Sequence, residues 1–574
     1  MFLFQTAIKG LISLKSMGSM SCREKSATLA PNDENDEFVE AVVADSADLA
    51  EGQMKEVSIA EDGKVLVARL KGGAVTAIGA KCSHYGAPLV KGAMGDNRVR
   101  CPWHGACFNL TTGDIEDFPG LDGVACHEAR EVGGKIMVRA RKSQLQSHKR
   151  TCNMVARDEA NTQTALVIGG GAAGATCIES LRQNGFTGRI MLLCAENFLP
   201  YDRPKLSKAL DADPAKIALR DAEFYQKNGI EVHLGAEVNS IDPGRKLVSL
   251  EQGEELSYDG IVIATGSEAR GVDGIEGCDL KNIFTLRTVQ DANEIATVAK
   301  GKKVVIIGNS FIGMEVAAYM KGKALTVTIV GRSAVPLEPV LGSEIGAAVL
   351  KLFTDNEIVH LGGRSVSSFV GSEGAVSGVK LDDGQTLDAE LVVAGIGATP
   401  NSKFLTSSGV RLDSRGFVVV DQNLRTNLDG VFAAGDVTAA PLSLNGRALP
   451  EPVNIGHWQL SHFHGKIAGR NLAALLAGRP QEFTPLDAVP FFWTMLFGKS
   501  IRYAGYGHGF EEIHMVGDPS ALQFEAYYLK GGEAVAIATL NADPVAAQFA
   551  EHLAAKRPAL SKERLLADHT YWRK

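Results

Sequence analysis

The stretch Lys81–Asn109, KCSHYGAPLVKGAMGDNRVRCPWHGACFN, decides how the rest of the chain is read. It holds two matched arms. One residue separates Cys82 from His84, two separate Cys101 from His104, and sixteen lie between the arms. Each arm offers one soft thiolate and one imidazole. Two cysteines for one iron and two histidines for the other is the ligand division of one class of [2Fe–2S] centre. Four-coordinate zinc also takes Cys₂His₂, but usually with both cysteines in one arm and both histidines in the other, so mixed arms favour the cluster. Gly86 and Gly105, close behind the histidines, let the backbone turn tightly, and Pro102 stiffens the second arm. Cys107 falls outside the pattern and reads as a small packed residue.

The spacing C-x-H…C-x-x-H resembles that of Rieske domains. The resemblance implies Cys82, His84, Cys101 and His104 as cluster ligands, and DIEDFPGLDG, Asp114–Gly123, as the proline-bearing loop that covers the cluster. Trp103 and Ala87 stand where high-potential Rieske proteins carry a bracing pair of cysteines. The resemblance therefore implies a lower-potential centre like those of Rieske ferredoxins, within roughly −150 to +300 mV. Around the arms, from Phe38 to Ala140, short alternating runs such as VLVARL and KIMVRA are parted by EDGK, KGG and GG turns, which predicts an all-β module.

The 574 residues suffice for about three to five domains. With 45% hydrophobic and 22% charged residues the composition is that of an ordinary globular protein, and the net charge of −8 argues against nucleic acid as the main partner. No apolar run reaches the roughly 18–20 residues needed to span a bilayer. Nine cysteines without a disulfide framework suit a reducing, intracellular compartment. Met1–Arg23 has basic residues, serines and no acid before Glu24. It reads either as a transit segment, placing the protein in mitochondria, or as a disordered tail, made plausible by APNDENDE, in a cytoplasmic one.

At Ala165 the pattern changes to strand, glycine turn, helix and strand. Gly169, Gly171 and Gly174 form G-x-G-x-x-G, and Glu196 stands where a ribose-binding acid belongs. Such a helix N-terminus meets a pyrophosphate with unpaired N–H groups and its positive dipole end. A second unit opens at Lys302, with Gly308 and Gly313 in the outer motif positions and Ser310 in the middle one. After its second strand come Gly331 and Arg332, where an NAD-specific site would place Asp or Glu. The arginine tilts the reading toward the NADPH 2′-phosphate. Glu338 downstream could serve a ribose instead, so NADH versus NADPH stays open. Between Glu196 and Cys278 there is no cysteine, so the chain lacks a disulfide reductase's dithiol.

LPYDRPKLSK, Leu199–Lys208, resembles the segment after the FAD ribose acid in ferredoxin reductases of the putidaredoxin-reductase and apoptosis-inducing-factor type. By that resemblance Arg203 reaches the FAD phosphates, Lys208 lies beside the flavin ring, Glu315 lies near the nicotinamide and can pair with Lys208, and Asp436 of GVFAAGDV binds the ribityl chain. His457, His462 and His464 look superficially like a metal cluster. The family uses this helix start to cover the flavin, so no metal is expected there and Trp458 is the expected flavin neighbour. PFFW, Pro490–Trp493, would flank the flavin, with Phe491 taken as core packing.

From Phe38 onward the chain resembles the apoptosis-inducing-factor 3-like family. The architecture this implies is multidomain. Residues 38–143 form the Rieske domain, 144–163 a linker, 164–283 with 401–486 an α/β FAD domain, 284–400 an α/β NAD(P) domain and 487–574 an α+β interface domain, behind the tail 1–37. The implied function is an FAD-dependent NAD(P)H oxidoreductase, with Lys208 and Glu315 catalytic. Electrons would pass through the [2Fe–2S] cluster and its exposed histidine edge to an unidentified one-electron acceptor. A slow, apoptosis-related redox sensor is the competing reading. Oligomeric state stays open.

Overall fold

The computed structural model describes residues 37–573 apart from Asp62. The segment read as a targeting or disordered tail thus lies, save for Glu37, outside the described residues.

The alternating runs after Phe38 make two antiparallel sheets. The larger has six strands in the order Phe38–Asp45, Lys135–Arg141, Cys126–Val132, Val75–Gly79, Gly63–Arg69, Met54–Ile59. Alternation along Lys135–Arg141 places Ile136, Val138 and Ala140 in the core and the residues between them outward, the period of a sheet covered on one face. The smaller sheet joins Ala93–Met94, Arg98–Arg100, Cys107–Asn109 and Ile115–Asp117. The second cysteine–histidine arm is the loop between its middle strands.

The polar stretch after Arg141 begins with a short helix, Lys142–Gln146, and is pinned at both ends. Arg150 donates to Val124 O (2.9 Å) and Thr112 O (3.1 Å) and pairs with Asp114, while Asp158 N donates to Thr187 O (2.9 Å). It therefore works as a strap, where composition suggests only a linker.

Two parallel sheets follow. The first runs Ile230–Leu234, Arg189–Cys194, Thr164–Ile168, Gly260–Ile263, Val431–Ala433, and the second Ile283–Thr285, Leu391–Ala394, Lys303–Ile307, Thr326–Gly331, Val359–Gly362. The core of the first, ALVI and GIVI, is buried throughout, as parallel strands covered on both faces must be. In each unit a glycine turn leaves the middle strand and enters a helix, Ala172–Gln183 or Phe311–Met320. The two units are joined where Ser267–Ala269 pairs antiparallel with Ala398–Pro400, and the first sheet is completed by chain that returns after the second. A five-stranded antiparallel sheet with the helix Val545–Ala554 ends the chain. No helix among the described residues is long and apolar enough to cross a membrane.

Candidate functional site

The two arms fold alike. Cys82 N donates to Ala87 O (2.8 Å) and Gly86 N to Cys82 O (2.9 Å); Cys101 N donates to Ala106 O (2.7 Å) and Gly105 N to Cys101 O (3.3 Å). Gly86 and Gly105 close these loops at φ 75° and 81°, a region that favours glycine. The loops bring four side chains to one corner. The Cys82 and Cys101 thiols sit close enough to couple, and His84 Nδ1 stands 3.2 Å from His104 Nδ1. Backbone N–H groups of His84 and Tyr85 serve the Cys82 sulfur, and those of Trp103 and His104 serve Cys101.

This donor set fits an iron–sulfur group. N–H bonds favour anionic sulfur, and hydrogen bonding to sulfur tunes such centres. Burial, reinforced by Lys205 and Lys149, holds the His84 pKa down to about 3, and burial lowers His104 likewise. Both imidazoles are therefore neutral, as metal ligands must be. Two plus two is the division a dinuclear cluster needs.

The histidine edge is half-buried and turned toward the reductase, which corrects the expectation of an exposed edge. The His104 ring packs 4.4 Å, centroid to centroid, from Trp493 of the C-terminal sheet, and His84 lies 6.1 Å from the same indole. Tyr85 stacks on His84 at 3.9 Å and donates its hydroxyl to Asp202, whose carboxyl burial lifts above the usual range. The proline-bearing loop closes the other side: Ser83 Oγ donates to Asp122 O (2.6 Å), and a Cβ on Gly120 would meet His84 Cβ at 3.6 Å.

Buried charge holds this corner against the reductase. Arg100, fully buried, donates to Glu551 (2.6 Å), Asp117 (2.7 Å) and Gly105 O (2.8 Å), and Arg98 reaches Glu551 at 2.7 Å. Cys107, a buried thiol as expected, lies 3.7 Å from the same carboxylate. On the opposite flank Arg220 clamps Asp122 (2.8 and 2.9 Å) together with Glu179 (2.9 Å). Arg502 Nε donates to Trp103 O at 3.0 Å. Phe491 is core, as expected, and is also the seat of the cluster loop: a Cβ on Gly105 would meet its ring at 2.6 Å. Gly105→Ala, combining this clash with a left-handed φ, is expected to destabilise the junction by about 1–3 kcal/mol. A thermal melt in which the variant matches the parent would refute that.

The same strand leads on to the nucleotide-binding side. Trp493's neighbour Thr494 donates to Glu315 (2.7 Å), and Glu315, buried, pairs with Lys208 at 2.8 Å and with the Ser207 hydroxyl. The expected Lys208–Glu315 pair is thus formed. Glu196 accepts from Arg203 (2.7 Å) and from the Tyr201 hydroxyl (2.6 Å). Asp436 accepts from Ser461 (2.8 Å) and faces Arg287 at 3.5 Å. Burial and the neighbouring Arg203 lower the Arg287 pKa, the mark of two crowded cations that an anion would relieve. A Cβ on Gly171 would meet nothing within 4 Å, whereas Cβ atoms on Gly169 and Gly174 would strike backbone. The first and third glycines are packed shut and the middle one opens onto space, which fits an FAD pyrophosphate. Gly308 and Gly313 repeat the closed positions in the second unit, with Ser310 at the start of the helix.

Trp458 sits on the first turn of Trp458–Leu476, edge-on to His462, whose other neighbour is Phe118 of the cluster domain, 5.4 Å away. The three histidines go to separate partners: His457 to the Phe492 ring, His462 to Thr176 Oγ1 (2.6 Å), His464 to Gly435 N (3.2 Å). Sequence reasoning passed over Tyr85, Arg287 and Glu551. For Arg287 a signal existed, since the capping box Thr288–Asp291 directly after it fixes where a helix begins and what it aims at.

Three family models match the chain: the Rieske [2Fe-2S] domain over residues 39–128, pyridine nucleotide-disulphide oxidoreductase over 163–465, and the reductase C-terminal domain over 491–574. Apoptosis-inducing factor 3 of Homo sapiens is 43% identical over 545 residues, covering 94% of this chain and 88% of that one. The ferredoxin–NAD(+) reductase subunit of the benzene 1,2-dioxygenase system of Pseudomonas putida is 36% identical over 59% of this chain and 80% of its own. Among solved structures, the covalent putidaredoxin reductase–putidaredoxin complex is similar at a TM-score of 0.65 and 27% identity, over 72% of this chain and 98% of that one. The cofactors are accordingly FAD, a [2Fe–2S] cluster and NAD(P)H. With its cluster arms, its two nucleotide units and its C-terminal sheet accounted for, the chain belongs to the apoptosis-inducing factor 3 family, NAD(P)H oxidoreductases of the ferredoxin-reductase type fused to a Rieske domain.

Proposed function

We propose that this protein carries electrons from NAD(P)H to its own Rieske centre, through a cluster domain permanently docked on the reductase, and from there to a one-electron acceptor. When bound, FAD supplies hydride acceptance and the cluster one-electron storage. The protein's own groups do the rest. The open face at Gly171 and the helix behind it would receive the FAD pyrophosphate, Glu196 would hold a ribose and Asp436 the ribityl hydroxyls. Glu315 and Ser207 aim the Lys208 ammonium, a fixed cation that favours negative charge on a reduced ring. Cys82, Cys101, His84 and His104 would hold the cluster, and Trp493 packs on His104 while the next residue of its strand, Thr494, donates to Glu315, the partner of Lys208.

One observation carries the reading: the cluster histidines point at the reductase. A tethered ferredoxin would gain only effective concentration. This domain is seated, with its ligand edge against Trp493 of the C-terminal sheet, the strand neighbour of Thr494, which bonds Glu315. Trp493→Ala is expected to slow NAD(P)H-driven cluster reduction at least tenfold, by opening that contact, while NAD(P)H reduction of a dye by the flavin persists. Stopped-flow traces at flavin and cluster wavelengths separate the two. Equal slowing of both, or of neither, would defeat the route.

A further inference from the structure

The second nucleotide unit carries a charge pattern that its glycine motif does not account for. In the first unit Gly169 N donates to Leu193 O, and the acid Glu196 follows three residues after that pairing. The matching bond in the second unit, Gly308 N to Val330 O (2.8 Å), puts Gly331, Arg332 and Ser333 in the corresponding stretch. None is acidic. Nor is position 331 open to a carboxylate, because the Asn309 side chain occupies the volume a Cβ there would need. Asn309 Nδ2 donates onward to Ser333 O (2.9 Å), fixing the Arg332 turn to the glycine turn that would face the pyrophosphate.

A second arginine follows the next strand, its backbone bonded to the residue before Arg332. Gly331 pairs with Gly362, and Arg364 N donates to Gly331 O at 3.0 Å. Arg332 and Arg364 are both exposed, flanking the strand end where an adenosine ribose lies in such units. The carboxylate on Arg364 is Asp383, 3.2 Å away across the surface, a contact weak enough to yield to a dianion. Leu337 N donates to Asn309 O (2.9 Å), so the chain leading into Glu338 is tied to the same glycine turn.

We infer that Arg332 and Arg364 form a subsite for a ribose 2′-phosphate, so that the electron donor is NADPH in preference to NADH. This rests on the reading of the second unit as the nicotinamide-nucleotide site. Two measurements on the holoprotein test it: calorimetric binding of adenosine 2′,5′-bisphosphate against adenosine 5′-monophosphate, and the ratio of kcat/KM for NADPH to that for NADH with a dye acceptor. The bisphosphate should bind at least about tenfold more tightly, and the ratio should favour NADPH by a similar factor, the scale of a charge-assisted phosphate contact. Arg332→Ala and Arg364→Ala should each cut both preferences several-fold. Preference for NADH, or a loss shared equally by both nucleotides in the variants, overturns the subsite. If neither nucleotide reduces the flavin, the reading of the whole unit fails instead, and the two failures are told apart by that absence of bleaching.

Discussion

Cys101→Ser should abolish reduction of any cluster-dependent acceptor and leave NAD(P)H-to-dye turnover intact. The expectation rests on where Cys101 sits. It is one of two cysteines for one iron, its sulfur is met by the N–H groups of Trp103 and His104, and a serine oxygen is too hard and too short to replace a thiolate there. The groups on the flavin side bond elsewhere: Lys208 to Glu315, Glu315 to Thr494, and Asp436 to Ser461. Electron-spin resonance of the reduced variant should therefore lose the Rieske signal while the flavin absorbance stays. If both activities survive unchanged, the cluster is not in the path; if both vanish, flavin chemistry depends on the cluster domain and the two steps are not separable.

Glu551→Ala should have the largest effect on the junction. The carboxylate is buried and is the shared partner of Arg98 and Arg100, so its removal leaves the fully buried Arg100 one carboxylate short. Breaking such a pair from one side costs about 3–5 kcal/mol. The loss should appear as undocking, with a lower first melting transition and slower flavin-to-cluster transfer, while dye reduction holds. A pH series supplies the companion result. Burial alone would raise the Glu551 carboxyl, but Arg100 and Arg98 outweigh it and hold the pKa below the ordinary 4.5. A depressed carboxylate stabilises fully above that value and loses its contribution as pH falls through the folded one. Docking should therefore be insensitive to pH above about 5 and weaken progressively below 4.5, and Glu551→Gln should flatten that dependence. A parent protein whose transfer rate is unchanged down to about pH 3.5 would contradict the role given to this pair.

Much of this site is local in sequence, and the local part was legible. The spacing of Cys82, His84, Cys101 and His104 encodes two loops of one shape, because a short turn with glycine near its end fixes where each ligand points. The same holds for Gly169–Gly174 and Glu196, which a strand, a turn and a helix place without help from elsewhere. The docking could not be read in this way. Arg100 and Glu551 are 451 residues apart, and Arg220 and Asp122 are 98 apart. Each looks like an ordinary surface charge until the fold buries both partners. An exposed histidine edge is the expectation from free-standing Rieske proteins. It fails here because Phe491 and Trp493 alternate along one strand of a distant sheet, presenting the surface against which Gly105 and His104 pack.

The most direct test of the internal route is anaerobic mixing of NADPH with the holoprotein, followed at flavin and cluster wavelengths and frozen for electron-spin resonance. A docked cluster domain predicts that the Rieske signal rises after flavin reduction at a rate independent of protein concentration. A cluster that stays oxidised beside fully reduced flavin, or that is reduced only in proportion to protein concentration, would contradict it.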